Sequence, residues 1–398
     1  ESLRYTTTGS DNTAVGRRSL FANTTGSSNT ANGYNSLVSN TTGSNNVASG
    51  YQALKNNTTG TINVAVGATA LFSNTTGQQN TACGQASLYQ NVGGNYNSAF
   101  GREALHTNTS GVNNTAVGRW ALRENTTASN NTAIGFETLR ATTTGHSNVA
   151  NGSYALWSNT TGIENTTNGR ESLYHNINGH YNTATGLKAL HNNTTANFNV
   201  SHGYKSLFSN TTGHDNVADG SSALYLNTTG SNNVALGGDA LYDVTTGSGN
   251  IGIGFRNSSN GYTPVFNPTT ASNRLVLGHT SVTNAYVKVS WTVTSDERDK
   301  MNFAPVPYGL DFVNKLKPTA YQFKVDRDTE TPDGDVRYGF KAQDILALEG
   351  DNPVIIDTED ADHLKYKGEH LVPVLVNAVQ ELTAMVKELQ TEIETLKG

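Results

Sequence analysis

The sequence predicts a mainly β repeat fibre, a parallel β-solenoid or β-roll, followed by a small α+β domain that ends in a coiled-coil helix. Three observations predict this fold class. Residues 1–254 repeat with a period of seventeen, the composition changes near residue 294, and leucine recurs at every seventh position near the C-terminus. A strict short repeat is typical of elongated proteins in which each unit packs on its neighbours.

Glycine, leucine and asparagine mark the period. They recur without exception from Gly16 to Gly254, from Leu3 to Leu241 and from Asn12 to Asn250. The tetrapeptide N-T-T-G, which recurs in many units, predicts a turn, in which Asn and Thr bond the backbone and Gly takes a left-handed conformation. The segment Asn114–Gly118 and its equivalents predict a short strand whose small apolar side chains enter a thin core, with Leu122 filling the remaining space.

Stacked units would place identical asparagines above one another, which predicts amide ladders. With a rise of about 4.8 Å per turn, fifteen turns give a shaft of roughly 70 Å. An intertwined triple β-helix of three chains is the alternative, and we favour the solenoid, made into a trimer by its C-terminal part. The strand motif is similar to the N-S-x-A-I-G repeats of trimeric autotransporter adhesin heads.

The charge distribution separates the repeats from the C-terminal part. Residues 1–294 carry 14 Lys plus Arg and 11 Asp plus Glu, whereas residues 295–398 carry 12 and 21. Neither part is basic enough to indicate nucleic-acid binding. Cys83 is the only cysteine, which excludes a disulfide within the chain, and we expect it to be a small buried side chain. We expect no cofactor, no bound metal and no membrane insertion.

The sequence predicts three regions. Residues 1–254 are the repeats, residues 255–294 a connector, and residues 295–398 the C-terminal domain with a helix over 371–397. Within the connector we expect a loop over Asn257–Asn273 and then strands of a stem from Asn273 to Thr294. Because Leu3 is already in register with the repeat, we expect the chain to be the C-terminal fragment of a longer protein.

Four motifs in the C-terminal part carry a resemblance to a known family. They are Ser295–Lys300 (SDERDK), Tyr338–Asp344 (YGFKAQD), Leu371–Val376 (LVPVLV) and Ala378–Leu382 (AVQEL). From about residue 275 the chain resembles the self-cleaving intramolecular chaperone domain at the C-terminus of phage endosialidases, tail fibres and tail spikes. The resemblance implies a homotrimer whose C-terminal domain drives folding of the shaft and is then released.

The same resemblance implies the residues of a self-cleavage site. The scissile bond is Thr294–Ser295, Ser295 is the nucleophile, Lys300 is its general base, and Asp296 and Arg298 hold the turn. A serine hydroxyl is weak at neutral pH and needs such a base. A spacing of five requires a turn or a neighbouring subunit to join the two side chains. Where the family commonly has an apolar residue, Asp299 favours the ammonium form of the lysine, so we expect slow cleavage.

A local alternative is that Ser295 only caps a helix, with acidic residues in the first turn. The C-terminal helix itself is predicted by Leu375, Leu382, Leu389 and Leu396, with Val379, Val386 and Ile393 between them. In isolated peptides this pattern favours two strands, whereas the resemblance implies three. Packing of the first helical turns on their own domain is a further alternative.

These observations favour a tail fibre of a virion, or an adhesin on a bacterial surface, over two other functions. A polysaccharide-degrading enzyme is not supported, since acidic residues in the repeats are few and do not recur as pairs. Glycan or receptor binding along the shaft is suggested by aromatic residues that share one repeat position and could stack on sugars. They are Phe21, Phe72, Tyr89, Trp157, Tyr174, Phe208, Tyr225 and Tyr242, of which Trp157, Tyr174 and Tyr225 are the candidates for glycan contact. The favoured interpretation of this stripe is that it packs against neighbouring chains.

Overall fold

The computed structural model describes residues 1–254, 266–279, 282, 288, 295–324, 330–359, 361–362 and 364–397. The chain divides into two compact units, Glu1–Thr280 and Ser281–Gly398. Residues 283–287 and 289–294 lie outside the described residues, and with them most of the stem strands that the sequence predicts, as well as Thr294. The part of the predicted loop up to residue 265 lies outside them too.

The first unit is a parallel β-solenoid, as predicted. Each strand pairs with the strand seventeen residues further along the same chain, so that Thr13 lies opposite Thr30. An intertwined triple β-helix is therefore wrong, because it would take the neighbouring strands from different chains. The sixteen strands are β1 (Thr13–Val15), β2 (Thr30–Asn32), β3 (Val47–Ser49), β4 (Val64–Val66), β5 (Thr81–Cys83), β6 (Ser98–Phe100), β7 (Thr115–Val117), β8 (Thr132–Ile134), β9 (Val149–Asn151), β10 (Thr166–Asn168), β11 (Thr183–Thr185), β12 (Val200–His202), β13 (Val217–Asp219), β14 (Val234–Leu236), β15 (Ile251–Ile253) and β16 (Leu275–Leu277).

The sheet continues for one strand beyond Gly254, where the sequence places the end of the repeats. Strand β16 pairs with β15 in parallel, with Leu275 opposite Ile251, a separation of 24 residues instead of 17. Val276 is 5% exposed and takes the place that alanine has in the earlier strands. The triplet Leu275–Leu277 thus extends the solenoid, because its central side chain can be buried as the alanines are.

Two side chains per unit form the core. In most units the central residue of the strand, alanine in twelve of the sixteen, is buried with the leucine that follows it, as Ala116 and Leu122 are. Burial of one leucine contributes about 1.5–3 kcal/mol. The first and third residues of each strand point away from this core, as the 37% exposure of Val117 shows. The prediction that the small apolar strand side chains enter the core is therefore correct for the central alanine and wrong for the outer residues. Cys83 occupies such an outer position and is half-buried, not buried as expected.

The repeated leucine has an unusual backbone conformation. Its φ angle is 49° at Leu122 and lies between 47° and 52° at every equivalent from Leu3 to Leu241. A left-handed conformation costs an ordinary residue about 1–2 kcal/mol, which the burial of the leucine side chain offsets. This feature could not be predicted from the sequence, because left-handed positions are normally occupied by Gly or Asn.

The N-T-T-G turn uses its glycine differently from the prediction. The Nδ2 group of Asn23 donates to the carbonyl oxygen of Gly26 at 2.9 Å, as expected for turn chemistry. The φ angle of Gly26 lies outside the left-handed region, so that part of the prediction is wrong. Glycine is needed here because a Cβ atom would collide with the carbonyl oxygen of Gly43 in the next unit. The left-handed glycine of each unit is the one after the strand, with a φ of 118° at Gly16.

Two asparagine ladders run along the core, as predicted from stacking. In the first, Nδ2 of Asn46 donates to Oδ1 of Asn29 at 3.1 Å and to the carbonyl oxygen of Gly60 at 2.9 Å. In the second, Nδ2 of Asn40 donates to Oδ1 of Asn23 at 2.8 Å. These buried amides are costly to remove, because each would leave unpaired polar atoms in neighbouring units.

The second ladder is interrupted at two units. Thr142 and Val244 stand at the asparagine position, and both are buried. In the preceding units the Oδ1 atoms of Asn125 and Asn227 are buried and have no hydrogen-bond partner among the described residues. Each interruption therefore leaves an unsatisfied carbonyl, which costs about 1–3 kcal/mol.

The second unit combines short helices and two hairpins. Its helices are α1 (Leu310–Lys315), α2 (Ala342–Glu349) and α3 (Leu371–Lys397), with 3₁₀ turns at Glu297–Asp299 and Gly368–His370. Strands β17 (Thr319–Lys324) and β18 (Pro332–Gly339) pair antiparallel, as do β19 (Ile356–Asp357) and β20 (Lys365–Tyr366). None of the described helices is long and apolar enough to cross a bilayer.

Helix α3 packs on its own domain at its beginning only. Leu371 and Val374 join a core with Phe312, Ile345 and Ile356. Polar contacts extend this attachment by less than two turns, since the carboxylate of Glu381 accepts the backbone N–H of Leu310 at 2.7 Å. The alternative that the first helical turns pack on their own domain is thus correct for those turns. The leucines at residues 382, 389 and 396 are between 48% and 86% exposed.

A buried carboxylate that the sequence analysis did not single out binds the start of the β19–β20 hairpin. Glu349 is 8% exposed, and its carboxylate accepts the backbone N–H groups of Val354, Ile355 and Ile356 at 2.7–3.0 Å. Three such bonds compensate the burial of a charge. This residue stabilises the domain and lies outside the motif Ser295–Lys300.

Candidate catalytic site

The motif Ser295–Lys300 folds into a tight turn that its own side chains stabilise. Asp296 precedes the 3₁₀ turn Glu297–Asp299 in an extended conformation, and its Oδ1 atom accepts the backbone N–H of Arg298 at 2.9 Å. The guanidinium of Arg298 binds the same carboxylate with two parallel bonds, of 3.0 Å from Nε and 2.6 Å from Nη2. These bonds lower the pKa of Asp296 and raise that of Arg298.

Ser295 and Lys300 meet across this turn. The Nζ atom of Lys300 donates to the Oγ atom of Ser295 at 2.6 Å. A turn within one chain thus suffices to join them, and no neighbouring subunit is needed for the contact itself. The capping position belongs to Asp296, so the alternative that Ser295 caps this turn is wrong.

Both members of the pair are exposed in the single chain. To accept the serine proton, an amine must be in its neutral form. Removal from water disfavours the ammonium form and would make the amine available as a base. The geometry therefore places the hydroxyl and the amine that the resemblance implies as nucleophile and base within hydrogen-bond distance of each other. Thr294, the residue before the nucleophile, lies outside the described residues.

The aromatic residues that share a repeat position form a stacked column along the shaft. Trp157 and Tyr174 are parallel with ring centroids 5.3 Å apart, and Tyr225 and Tyr242 lie 5.0 Å apart. Between them His191 continues the stack on Tyr174 at 5.3 Å. The column, which we call the aromatic ladder, comprises Trp157, Tyr174, His191, Phe208, Tyr225 and Tyr242.

A shorter stack and an edge-to-face pair contain the remaining aromatic residues of this repeat position. Phe72 stacks on Tyr89 with centroids 5.0 Å apart, and Tyr89 on His106 at 5.2 Å. Phe21 meets Tyr5 edge to face at 5.0 Å. In these stacks the ring faces touch one another along the shaft, so a ligand would meet ring edges except at the ends of a stack.

Charged side chains border the aromatic ladder, and the sequence analysis missed their regularity. Glu103, Glu137 and Glu171 recur every 34 residues, as single carboxylates and not as the pairs that a glycosidase needs. The carboxylate of Glu137 accepts Nε1 of Trp157 and Nη1 of Arg140, both at 2.9 Å. A search for periods of two units would have found this series.

The carboxylates of Glu103 and Glu171 are held in the ionised form. Burial raises the pKa of Glu171, but hydrogen bonds and charges, chiefly from Lys188, outweigh it and the net shift is downward. Burial also raises the pKa of Glu103, but the hydrogen bond and the charge of Arg123 outweigh this effect, so the pKa of Glu103 is lowered as well. A glycosidase needs one carboxyl with a raised pKa as its general acid, so Glu103 and Glu171 do not have this property.

Comparison with known proteins identifies the beginning of the C-terminal domain. Residues 295–352 match the model of a peptidase family described as chaperone of endosialidase. The match begins at Ser295 and includes the motif Tyr338–Asp344, and the resemblance inferred from the residues is thereby confirmed for this segment. The motifs at Leu371–Val376 and Ala378–Leu382 lie beyond it. No curated protein and no solved structure matches the chain. The chain thus joins an endosialidase-type chaperone segment to a β-solenoid of seventeen-residue repeats.

Proposed function

We propose that the chain belongs to a homotrimeric tail fibre or surface adhesin in which the domain that begins at Ser295 aligns and folds the β-solenoid shaft. The domain is then released by cleavage of the bond between Thr294 and Ser295. The observation that carries this proposal is the 2.6 Å contact between Lys300 and Ser295 at the first residue of the family match. The family's peptidase character supports the self-cleavage.

The cleavage reaction needs only groups of this chain and water. Neutral Lys300 takes the proton of the Ser295 hydroxyl, and Oγ attacks the carbonyl carbon of Thr294. The C–N bond breaks as the α-nitrogen of Ser295 receives a proton from the lysine, and an ester between Thr294 and Oγ remains. Water hydrolyses this ester, giving a carboxylate at Thr294 and a free hydroxyl and α-amine at Ser295. Each chain reacts once.

Exposure of the site in the single chain supports a link between cleavage and assembly. If the pair is withdrawn from water only when three chains meet, the lysine becomes a base at that moment. Cleavage then follows correct trimerisation and does not precede it. A shaft from which the aligning domain has been removed is held by a barrier to unfolding, a case of kinetic stability.

The exposed side of helix α3 supports trimerisation of the domain. Leu382, Leu389 and Ile393 are 48–55% exposed and follow the heptad spacing of a coiled-coil seam. An apolar seam left in water is unfavourable, and a parallel bundle of identical helices would cover it. Light scattering of the Ser295→Ala protein, which retains the domain, should give the mass of three chains.

Mass spectrometry of the purified protein tests the self-cleavage. The parent should yield two fragments, residues 1–294 and 295–398, and Ser295→Ala should yield the full chain only. Ser295→Cys keeps a nucleophile and should retain cleavage where Ser295→Ala does not. A parent that stays uncut in its trimeric form contradicts the peptidase assignment and leaves the folding role to be judged by the mass of the assembly.

As a second candidate function we propose glycan contact along the aromatic ladder, at Trp157, Tyr174 and Tyr225. In support, half-buried rings stand beside ion pairs, as in the contact of Trp157 with Glu137, and such mixed surfaces suit sugars. Because the ring faces are stacked, the contact would use ring edges and the flanking charges. A glycan array with Trp157→Ala against the parent tests it, and unchanged binding of the variant contradicts it.

The matched family is described as chaperone of endosialidase. Because the resemblance associates endosialidases with phages, a virion tail fits this function best. A bacterial surface fits the adhesin-like repeats. Detection of the protein in purified phage particles by mass spectrometry distinguishes the two locations.

A further inference from the structure

The outer side of the solenoid sheet is almost without charge. We define the outer sheet face as the first and third residues of strands β1–β16. Among them only Asp219 carries a full charge at neutral pH, and His202 precedes it by one strand. Most charged residues of the repeats lie instead between the glycine after the strand and the residues that follow the leucine. A flat β surface with a single carboxylate is unusual for a face in water, since charge depletion is typical of interface cores.

The outer sheet face carries two apolar clusters. The first contains Val66, Phe100, Val117 and Ile134, which are 37–43% exposed, with Cys83 among them. The second contains Leu236, Ile253 and Leu277, which are 38–45% exposed. At the third strand position, where both clusters lie, five polar residues separate them, namely Asn151, Asn168, Thr185, His202 and Asp219. Exposed apolar clusters of this kind mark contact surfaces on soluble proteins.

The order of these clusters favours an identical chain as the occupant. Rotational symmetry places equivalent residues of the copies at the same level along the axis. Apolar clusters then meet apolar clusters, and asparagines meet asparagines. A copy displaced by five units would set Val66 to Ile134 against the polar stretch, which costs desolvation without a partner. The pattern therefore distinguishes the correct register from displaced ones, although the seventeen-residue repeat alone does not.

We propose that the outer sheet face is the surface through which three shafts pack against one another, with the aromatic ladder and its charged border on the outside. This inference rests on the proposed trimer and adds which side of the repeat faces the axis. Near the axis the carboxylates of the three Asp219 residues would share one level, where His202 one strand away is the available partner. Both clusters would be dry in the trimer and wet in the monomer.

Cross-linking through the native cysteine tests this arrangement. Cys83 lies in the first cluster, so equivalent thiols of neighbouring chains should be close. The full chain with Ser295→Ala is purified as a trimer, its mass is measured by light scattering, and it is treated at high dilution with copper–phenanthroline or a short bismaleimide. We expect cross-linked dimers on denaturing gels and their loss in Cys83→Ser.

Moving the cysteine gives the matched controls. In the Cys83→Ser background, Val117→Cys lies on the same face two strands away and should restore the cross-link. Gln90→Cys is exposed next to Tyr89, on the side of the aromatic stacks, and should give none. A trimer that cross-links through Gln90→Cys and not through positions 83 and 117 overturns the inference and leaves the trimer intact. A trimer with no cross-link at 83 or 117 overturns it as well, whereas a monomeric mass contradicts the proposed function itself.

Discussion

The Nζ atom of Lys300 lies 2.6 Å from the Oγ atom of Ser295, across a turn that the carboxylate of Asp296 and the guanidinium of Arg298 hold closed. The pair is exposed in the single chain, and under the proposed function its activation would require withdrawal from water. The first predictions concern this turn, and the later ones concern the shaft.

Replacement of Lys300 should abolish most of the cleavage while assembly continues. General bases contribute about 10²–10⁴-fold to rate, so Lys300→Met should slow the appearance of the 295–398 fragment by a factor in that range. Lys300→Arg keeps the charge but does not lose its proton at neutral pH, so it should be equally slow. The measurement is the time course of fragments by mass spectrometry. Rapid cleavage in Lys300→Arg would show that the residue acts by charge alone.

Removal of the carboxylate before the lysine should accelerate cleavage. Asp299→Leu withdraws a negative charge that favours the ammonium form of Lys300, and a gain of up to about tenfold corresponds to roughly 1.4 kcal/mol. Glu297→Leu is the matched control, because it removes a carboxylate from the same turn at a greater distance in sequence. The two rates are compared in trimers of equal mass, and equal rates for both variants would contradict the role assigned to Asp299.

Restoring the asparagine ladder should stabilise the shaft. Thr142→Asn supplies the donor that the buried Oδ1 of Asn125 lacks among the described residues, and we expect a gain of about 1 kcal/mol in the free energy of unfolding. Thr144→Asn places the same side chain on an exposed position of the same turn and should be nearly neutral. Hydrogen exchange at the amides of neighbouring units measures the change locally. Lower protection in Thr142→Asn than in the parent would contradict the prediction.

Truncation of a core leucine should be costly. Leu122 is fully buried, and Leu122→Ala should reduce the free energy of unfolding of its region by about 2–5 kcal/mol. Leu187 is 40% exposed and is the control for the same substitution, which should cost much less there. Thermal melting of the uncut Ser295→Ala protein carrying each change provides the comparison. Similar melting temperatures for the two would mean that the core does not depend on the leucine column.

Acid should weaken the aromatic stacks. Burial lowers the pKa of His106 and of His191, in the presence of Arg123 near the former and of Lys188 and Glu171 near the latter. The folded shaft thus binds fewer protons than the unfolded chain, so its stability should fall as the pH drops below about 6.5. The double change His106→Phe and His191→Phe preserves stacking and should flatten this dependence between pH 7 and 5. His146→Phe, at an exposed position, should leave it unchanged.

The periodic positions made most of the shaft predictable from the sequence. Strict recurrence of Leu122 and Asn114 equivalents fixes the solenoid, its buried leucines and its ladders, because a stacked structure must repeat what the sequence repeats. The sequence also located the pair Ser295 and Lys300 from a motif. It did not predict the left-handed leucine, since that strain is offset by packing that only the folded turn reveals.

Other features depend on distant contacts that no local pattern encodes. Strand β16 begins 24 residues after the start of β15, so the period of seventeen could not predict it. Glu349 is buried, and its carboxylate accepts the backbone N–H groups of residues 354–356, a contact that no local sequence pattern indicates. The exposure of Val117 and Cys83 differs from the expectation because the period-two pattern of a three-residue strand buries its middle residue alone.

Because neighbouring units bond to one another in largely the same way, the length of the shaft is set by the number of units. Most units offer their neighbours the same amide, leucine and glycine contacts, so duplication or deletion of such a unit would create no new kind of junction. One such event would lengthen or shorten the shaft by about 4.8 Å. Reach towards a surface could then evolve in small equal steps.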